Sequence, residues 1–230
     1  RLASIPQARA RGFGPGFFSF NVPGGRCEKC EGAGSVLVEM HFLPDVLVPC
    51  EACGGSRYGP QALQILDRGR NVAQVLEMSV RQALDFYSDL PDVARKLRVL
   101  DQVGLGYLRL GQSAPTLSGG EAQRLKLAAH LGGRGSGSRL FLLDEPTTGL
   151  HLQDVEVLVR LLDLLVEAGH TVIVVEHHLE LVLAADWVVD LGPGPGEEGG
   201  RLVAQGPPRE IARSDGPTGR HLAQALETGP

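Results

Sequence analysis

The four cysteines of this 230-residue sequence fall in two close pairs, and their spacing is suited to binding a metal ion. Cys27 and Cys30 are separated by two residues, as are Cys50 and Cys53, and nineteen residues lie between the pairs. Two thiolates spaced in this way can hold one ion from a tight turn, and two such turns complete a closed, tetrahedral, structural Zn²⁺ site. The alternative is a set of free buried cysteines, which this number and spacing disfavour. We therefore predict a zinc module over residues 26–57.

Three basic residues flank the cysteine pairs and could contact phosphate groups of a nucleic acid, namely Arg26, Lys29 and Arg57. Acidic residues are interleaved with them at positions 28, 31 and 51. A solvated face of mixed charge is therefore the alternative, and the interleaved acids favour it. The whole chain carries 22 Lys and Arg residues against 27 Asp and Glu residues, a net charge of -5. Any contact with DNA must then be local.

A glycine turn opens the helix that we predict over residues 117–131. Ser118 and Glu121 have the spacing of a capping box, and Gly119 and Gly120 let another part of the backbone approach closely. A helix N-terminus presents free N–H groups and the positive end of the helix dipole, so it is a natural site for an anion. Taken alone this is weak evidence, because glycine-rich helix starts are common.

Two apolar runs, residues 140–143 and 171–175, are typical of buried parallel strands. A helix predicted over residues 155–166, and closed by Gly169, lies between them. Strand, helix and strand in this order imply a right-handed parallel crossover. The carboxyl ends of the two strands then meet at one edge of the sheet, which is where open α/β folds bind their ligands.

The residues that follow these two strands are of types that act on phosphate groups. Asp144 is placed to hold Mg²⁺, and Glu145 is placed to orient and polarise an attacking water. His177 follows the second strand and reaches the same edge. The alternatives are an ordinary acidic turn and a histidine that is satisfied at a sheet edge. The order of the three segments, with the glycine turn before the acids and the histidine last, favours a nucleotide site.

Together these segments resemble the signature, Walker B, D-loop and switch-histidine elements of the ATP-binding-cassette ATPases, with Gly149-Leu150-His151 as the counterpart of the D-loop. The resemblance implies that two nucleotide-binding domains enclose ATP and Mg²⁺ between them. Ser118, Gly119 and Gly120 would contact the γ-phosphate of an ATP held mainly by the opposite domain, and Glu121 would be among the nucleotide-binding residues. Asp144, Glu145 and His177 would act on the ATP of their own domain, and Gly149 would join the nucleotide-binding residues.

Longer stretches of the sequence resemble the second nucleotide-binding half of the UvrA family, whose members carry a four-cysteine module before the signature motif. The similarity extends from about residue 11 to residue 207, and its main segments are residues 18–22, 24–28, 38–45, 110–113, 144–151, 185–187 and 190–193. The resemblance implies a DNA-damage-recognition ATPase of nucleotide excision repair. Such a protein would bind damaged double-stranded DNA as a homodimer and load the helicase subunit UvrB.

The fold class predicted in this way is α/β, with an ATP-binding-cassette, P-loop-NTPase-like parallel sheet core, an inserted four-cysteine zinc module and a helical signature subdomain. The predicted bounds are 1–25 for the start of the signature region, 26–57 for the zinc module, 58–138 for the signature subdomain and 139–230 for the ATPase core. Smaller predicted elements are strands at 35–42, 46–49, 187–191 and 201–204, helices at 80–88, 93–103 and 179–185, a turn at 43–45, and loops at 132–137 and 192–200.

One departure from the family pattern concerns the phosphate loop. The sequence contains no G-x-x-x-x-G-K-[ST] motif, and no Q-loop glutamine can be placed in it. The sequence also starts without Met, which suggests a fragment of a longer protein. We therefore expect that this chain alone neither binds ATP tightly nor hydrolyses it.

Two other functions stay open. One is a UvrA-like paralogue that couples ATP hydrolysis to drug export or self-resistance, and the other is a non-catalytic zinc-binding interaction module. No apolar run approaches the roughly 20 residues needed to cross a bilayer, and no signal peptide is evident. We therefore expect a cytoplasmic protein without a membrane partner.

Overall fold

A computed structural model describes residues 1–40, 42, 45–131, 137–194 and 199–228 of the chain. The turn predicted at 43–45 and the loops predicted at 132–137 and 192–200 lie partly outside these residues. The chain divides into two compact units, the first made of Arg1–Leu97 with Gly106–Thr116 and the second of Arg98–Leu105 with Leu117–Pro230. The domain bounds derived from the sequence stay a prediction.

The first unit is built from short helices and one β-hairpin. Its helices are α1 (Pro6–Ala10), α2 (Pro60–Leu63), α3 (Val72–Leu76), α4 (Val80–Phe86) and the greater part of α5 (Pro91–Gln102). The strands β1 (Ser35–Val38) and β2 (Val46–Pro49) pair in antiparallel fashion, as the sequence predicted, but β1 ends at Val38 and does not extend to residue 42. Asn71 and Ser79 form capping boxes with Gln74 and Gln82, which fix the starts of α3 and α4.

An aromatic cluster near the N-terminus forms much of the core of the first unit. Tyr58 is buried, and Phe17, Phe18 and Phe20 pack against the cluster that contains it. The Tyr58 hydroxyl donates a hydrogen bond to the Phe18 carbonyl oxygen at 2.9 Å, so the polar end of this buried ring is satisfied. Residues 1–25, which show no clear period in the sequence, therefore contribute core packing.

The second unit alternates helices and strands. Its elements are α6 (Gly119–Leu131), β3 (Leu140–Asp144), α7 (Leu152–Glu167), β4 (Thr171–Val175), α8 (Leu179–Ala184), β5 (Val188–Gly192), β6 (Arg201–Gly206), α9 (Pro208–Ile211) and α10 (Pro217–Thr228). Strands β3 and β4 are parallel, as predicted, and β5 pairs with β6 in antiparallel fashion. Among the described residues, β3 and β4 are the strands that pair in parallel. The larger parallel sheet core stays a prediction.

Helix α7 forms the core of the second unit. Its buried residues are Val155, Leu158, Leu161, Leu162 and Leu165. Their spacing of three and four residues places them on one face of the helix, where they meet α6, α8 and β4.

Within the residues that the structure describes, none of the helices has both the length and the apolar character that crossing a membrane requires.

The prediction that residues 140–143 and 171–175 form fully buried strands is wrong for one face of each strand. Leu142 is 69% exposed and Val175 is 62% exposed, whereas Phe141 and Val174 are half-buried. Successive side chains of a strand point to opposite faces of the sheet. One face of the β3–β4 pair therefore stays uncovered in the described part of the chain. The prediction failed for this face because a continuous apolar run does not say which segments cover each face of a sheet.

Candidate metal centre and sheet-edge site

The four cysteines come together in one cluster, as their spacing predicted. Their sulfur atoms all lie within 4.8 Å of one another, with 4.0 Å between the Sγ atoms of Cys27 and Cys50 and 3.7 Å between those of Cys30 and Cys53. Sulfurs around a tetrahedral zinc ion, each about 2.3 Å from the metal, lie about 3.8 Å apart. The cluster therefore fits a closed four-thiolate zinc site, and it uses every cysteine of the sequence.

Backbone hydrogen bonds hold the two cysteine turns together. The backbone N–H of Cys27 donates to the Arg57 carbonyl oxygen at 2.8 Å, and that of Cys50 donates to the Gly34 carbonyl oxygen at 2.9 Å. The Gly34 N–H donates in turn to the Cys30 sulfur at 3.3 Å. A backbone N–H directed at a ligand atom fixes that ligand's orientation. The module is thus closed by contacts among its own residues.

Gly32, just after the first cysteine pair, occupies a position that admits no side chain. Its φ of 86° lies in the left-handed region, and an added Cβ would lie 2.0 Å from the Phe20 carbonyl oxygen. The cysteine turn and the aromatic cluster therefore approach one another through bare backbone. This contact joins the metal module to the core of the first unit.

Two of the basic residues that flank the cysteines pair with acids on the surface. Arg26 forms an ion pair with Glu31 at 3.5 Å, and Lys29 forms one with Glu51 at 3.3 Å. The Lys29–Glu51 pair is exposed on both sides, and pairs of this kind contribute little free energy. The Arg26 side chain is only 16% exposed. The Lys29 pair therefore agrees with a solvated face of mixed charge, and a DNA contact at Arg26 or Lys29 stays a prediction.

Arg57 differs from the other two basic residues because several contacts hold it in place. Its Nη2 donates to the Ser113 hydroxyl at 2.9 Å, and its guanidinium lies 5.0 Å from the centre of the Phe20 ring. Its carbonyl oxygen accepts the Cys27 hydrogen bond, and its φ is 71°. Arg57 therefore supports the base of the zinc module, whatever else it contacts.

The capping box predicted at the start of α6 is present. The Ser118 N–H donates to Glu121 Oε2 at 2.7 Å, and the Glu121 N–H donates to Ser118 Oγ at 3.2 Å. The helix itself begins at Gly119. A Cβ added at Gly120 would lie 2.6 Å from Leu150 Cδ2, so the glycine lets the helix start approach the loop that follows β3.

The register of β3 and β4 brings Asp144, Glu145 and His177 to one edge of the sheet. Asp144 lies opposite Val175, and the Glu145 N–H continues the ladder by donating to the Val175 carbonyl oxygen at 2.9 Å. The three side chains are exposed. Their positions are those that the strand pattern predicted, and their chemical roles stay a prediction.

A series of tight turns follows β3. Glu145 has a φ of 43°, which is rare for a residue with a side chain, and Gly149 has a φ of 75°. The Thr148 N–H donates to the Glu145 carbonyl oxygen at 3.1 Å, and the Leu150 N–H donates to that of Thr147 at 3.0 Å. The chain is thus folded back tightly at the residue that we expect to act on water.

Glu176, which the sequence analysis did not single out, joins the loops that follow β3 and β4. One carboxylate oxygen accepts hydrogen bonds from the N–H and the hydroxyl of Thr147, and the other accepts them from the N–H groups of His177 and His178. Burial acts to raise the pKa of Glu176, but these hydrogen bonds outweigh it and the pKa is lowered. The sequence offers no spacing signal for a partner 29 residues away.

A partly buried ion pair connects α6 with α7. Arg124 is buried, and its Nη1 donates to Asp154 Oδ1 at 3.0 Å. Asp154 lies in the first turn of α7, where a negative charge also interacts favourably with the helix dipole. This pair therefore fixes the helix that carries the glycine turn against the helix that forms the core.

These features define a class, a mixed α/β protein with a four-cysteine cluster that fits a metal ion and a sheet edge that carries adjacent carboxylates and a histidine. No family model matches the chain. The UvrABC system protein A of Thermus thermophilus is 56% identical over 226 residues, which cover 98% of this chain and 24% of that protein. The protein of the same name from Aquifex aeolicus is 54% identical over 227 residues, with the same coverage of 98% and 24%.

Among solved structures, the crystal structure of UvrA2 from Deinococcus radiodurans matches with a TM-score of 0.86 and 54% identity. The match covers 97% of this chain and 28% of that one. The chain therefore belongs to the UvrA family. It spans about a quarter of the length of the curated relatives that it matches.

Proposed function

We propose that this chain is part of a UvrA-like ATPase that couples ATP binding and hydrolysis to the recognition of damaged double-stranded DNA in nucleotide excision repair. The observation that carries the proposal is the identity of more than half of the residues with UvrABC system protein A over 98% of the chain. The arrangement of acids and histidine at one sheet edge agrees with such an activity.

The edge residues have distinct roles in this proposal. Asp144 holds Mg²⁺, directly or through water, and the ion neutralises charge on the phosphate groups when it is bound. Glu145 orients and polarises the attacking water as a general base. His177 acts on the same nucleotide from the neighbouring strand. All three side chains are exposed, as they must be to reach a nucleotide.

The glycine turn at the start of α6 serves a second nucleotide, the one held mainly by the opposite domain. Gly119 and Gly120 offer N–H groups and Ser118 offers its hydroxyl to the γ-phosphate, while the capping box, which uses the Ser118 N–H, fixes the helix start. Gly149 and the turn around it complete the nucleotide-binding residues. The active form is therefore a homodimer in which two such domains meet.

The four-cysteine cluster has a structural role in the same proposal. Four thiolates fill a tetrahedral coordination sphere and leave no position for a substrate or water. Bound Zn²⁺ contributes folding free energy to the module that it closes. The metal centre thus shapes the chain around it and takes no part in hydrolysis.

Binding of DNA in this proposal depends on contacts with the phosphate backbone and on the deformability of the duplex. Because the chain carries a net charge of -5, these contacts are local, and Arg26, Lys29 and Arg57 are the candidates here. Loading of UvrB belongs to the intact protein, for which we propose a cytoplasmic location.

The test is made on the full-length protein that carries this chain. ATPase rate and DNA affinity are measured with undamaged and adducted duplexes, for the wild type, for Glu145→Gln and for the exposed control Glu167→Gln. DNA-stimulated hydrolysis, tighter binding of the adducted duplex and loss of turnover in Glu145→Gln alone would support the proposal. Turnover that is indifferent to DNA, without preference for lesions, would overturn the repair assignment and favour the transport-linked paralogue.

The 230-residue chain by itself should behave differently. Because its sequence lacks the phosphate-binding loop motif and its lysine, we expect no turnover and no tight ATP binding. Isothermal titration with ATP and Mg²⁺, and a phosphate-release assay, measure both properties. Clear hydrolysis by the purified chain would contradict this expectation.

A further inference from the structure

The carboxylate of Glu176 joins two loops that come from different strands. Oε1 accepts the Thr147 N–H at 2.8 Å and the Thr147 hydroxyl at 2.5 Å. Oε2 accepts the N–H groups of His177 at 3.0 Å and His178 at 3.2 Å. Each oxygen thus holds one loop, and a single rigid group fixes the separation between them.

The residues held in this way stand beside those that we expect to do chemistry. Thr147 lies two positions after Glu145 and is buried, so its place in the loop is well fixed. His177 directly follows Glu176. The strand ladder ends at the Glu145 N–H, which donates to the Val175 carbonyl oxygen. Beyond that point, Glu176 connects the two loops through a side chain.

The chemistry of this contact requires both carboxylate oxygens. Four donors converge on Glu176, three of them backbone N–H groups, and an ionised carboxylate has acceptor sites for all of them. A glutamine at this position would keep one oxygen and direct an NH₂ group at the other donors. The Thr147 pair or the His177 and His178 pair would then lose its acceptor, and the loop concerned would be free to shift.

We propose that Glu176 is a positioning residue that holds Glu145 and His177 at a fixed separation and thereby sets the rate of ATP hydrolysis. The proposal rests on the ATPase function proposed above. Glu176 touches no nucleotide in this account, since its oxygens are already occupied by Thr147, His177 and His178. Its loss therefore lowers kcat while the KM for ATP changes little, because a small misplacement of reacting groups affects the rate far more than binding.

The experiment uses the full-length protein and compares three variants with the wild type. Glu176→Gln should lower kcat about 10-fold to 100-fold, the range expected for a displacement of up to about 1 Å, with KM within about threefold. Thr147→Val removes the hydroxyl donor and should lower kcat by a smaller factor. Thr147→Ser restores a hydroxyl and should return kcat to near the wild-type value, which a role in packing alone would not explain.

Two controls separate this proposal from its premise and from unfolding. Glu180→Gln removes an exposed carboxylate from α8, four residues further on, and should leave kcat unchanged. Hydrogen exchange at the β3 and β4 amides reports whether each variant is folded, and Thr147→Val replaces Glu176→Gln as the test if the latter unfolds.

The outcomes are distinct. Loss of kcat in Glu176→Gln, with rescue in Thr147→Ser, supports the proposal. Wild-type kcat in Glu176→Gln and Thr147→Val, when Glu145→Gln is inactive, overturns the positioning role and leaves the ATPase function intact. Wild-type turnover in both Glu145→Gln and Glu176→Gln overturns the positioning role of Glu176 together with the general-base role of Glu145 on which it rests. A KM raised more than about tenfold with kcat unchanged overturns the proposal in favour of a binding role.

Discussion

The zinc module and the sheet edge differ in how much of each site this chain completes. The module draws all four sulfur ligands from residues 27–53 and closes them with its own backbone hydrogen bonds. The sheet edge leaves Asp144, Glu145 and His177 exposed, and one apolar face of β3 and β4 is uncovered in the described part of the chain. Two short turns can thus complete a four-cysteine cluster, whereas the nucleotide site that we propose gathers groups from distant segments.

Removing the metal should have the largest effect, and that effect should be confined to the zinc module. Cys27→Ser or Cys50→Ser replaces a thiolate ligand, and we expect loss of bound zinc and of the structure around it. Structural zinc contributes on the order of 10 kcal/mol to the folding of small zinc peptides. Zinc content by mass spectrometry and hydrogen exchange at residues 26–59 would show both losses. Protection of β3 and β4 should be unchanged, and retained zinc with normal exchange in either variant would contradict the assignment.

Substitution of Glu145 addresses the edge without disturbing the fold. In the full-length protein, Glu145→Gln should lower turnover about 10²-fold to 10⁴-fold, the usual contribution of a general base. ATP binding and zinc content should stay at wild-type values, because Glu145 is exposed and remote from the cysteine ligands in the sequence. Single-turnover kinetics together with equilibrium ATP binding measure the two effects. A drop in ATP affinity equal to the drop in rate would speak against the assigned role.

Breaking the ion pair between Arg124 and Asp154 tests whether contacts between residues distant in sequence stabilise the second unit. Arg124→Ala removes a buried guanidinium and its apolar stem. Loss of a fully buried pair costs about 3–5 kcal/mol. Because Asp154 is more than a third exposed, we expect about 1–3 kcal/mol here, measured by urea unfolding of the chain. The exposed neighbour Lys126→Ala should change stability by less than about 0.5 kcal/mol, and an equal effect of both variants would contradict the prediction.

The smallest expected effect is a pH dependence of the second unit. The pKa of Glu176 is lowered in the folded chain, so its stabilising contribution is present above the unfolded pKa of about 4.3. That contribution is lost as the pH falls through the lower, folded pKa. Thermal unfolding between pH 7 and pH 3 should therefore show a decline that is shallower in Glu176→Gln. Identical pH profiles for the wild type and the variant would contradict the prediction.

Local patterns in the sequence account for much of the fold and of the candidate site. Cysteine spacing predicted the metal cluster, and serine three residues before glutamate predicted the capping box of α6. Apolar runs separated by a helix predicted the parallel pairing of β3 and β4. Each of these signals depends on residues close in the chain, or on strands joined by a single helix, so the geometry follows from short-range rules.

Other features left no clear short-range pattern, or depend on contacts between segments that are distant in sequence. Helices α1, α9 and α10 went unrecognised, since proline and glycine interrupt the periodicity on which such predictions depend. The exposed face of β3 and β4 was misjudged, because an apolar run says nothing about which segments cover it. Glu176 was overlooked because its partner Thr147 lies in another loop, 29 residues away.

The sequence by itself determined the four-cysteine cluster, the order of the segments that resemble nucleotide-site motifs, and the family, since each is written in residue types at short spacing. Only the tertiary structure decided which residues distant in sequence come into contact. It brought Thr147 to Glu176, Arg124 to Asp154 and the Gly32 backbone to Phe20. Such contacts depend on how strands register and helices pack, which is a property of the whole fold.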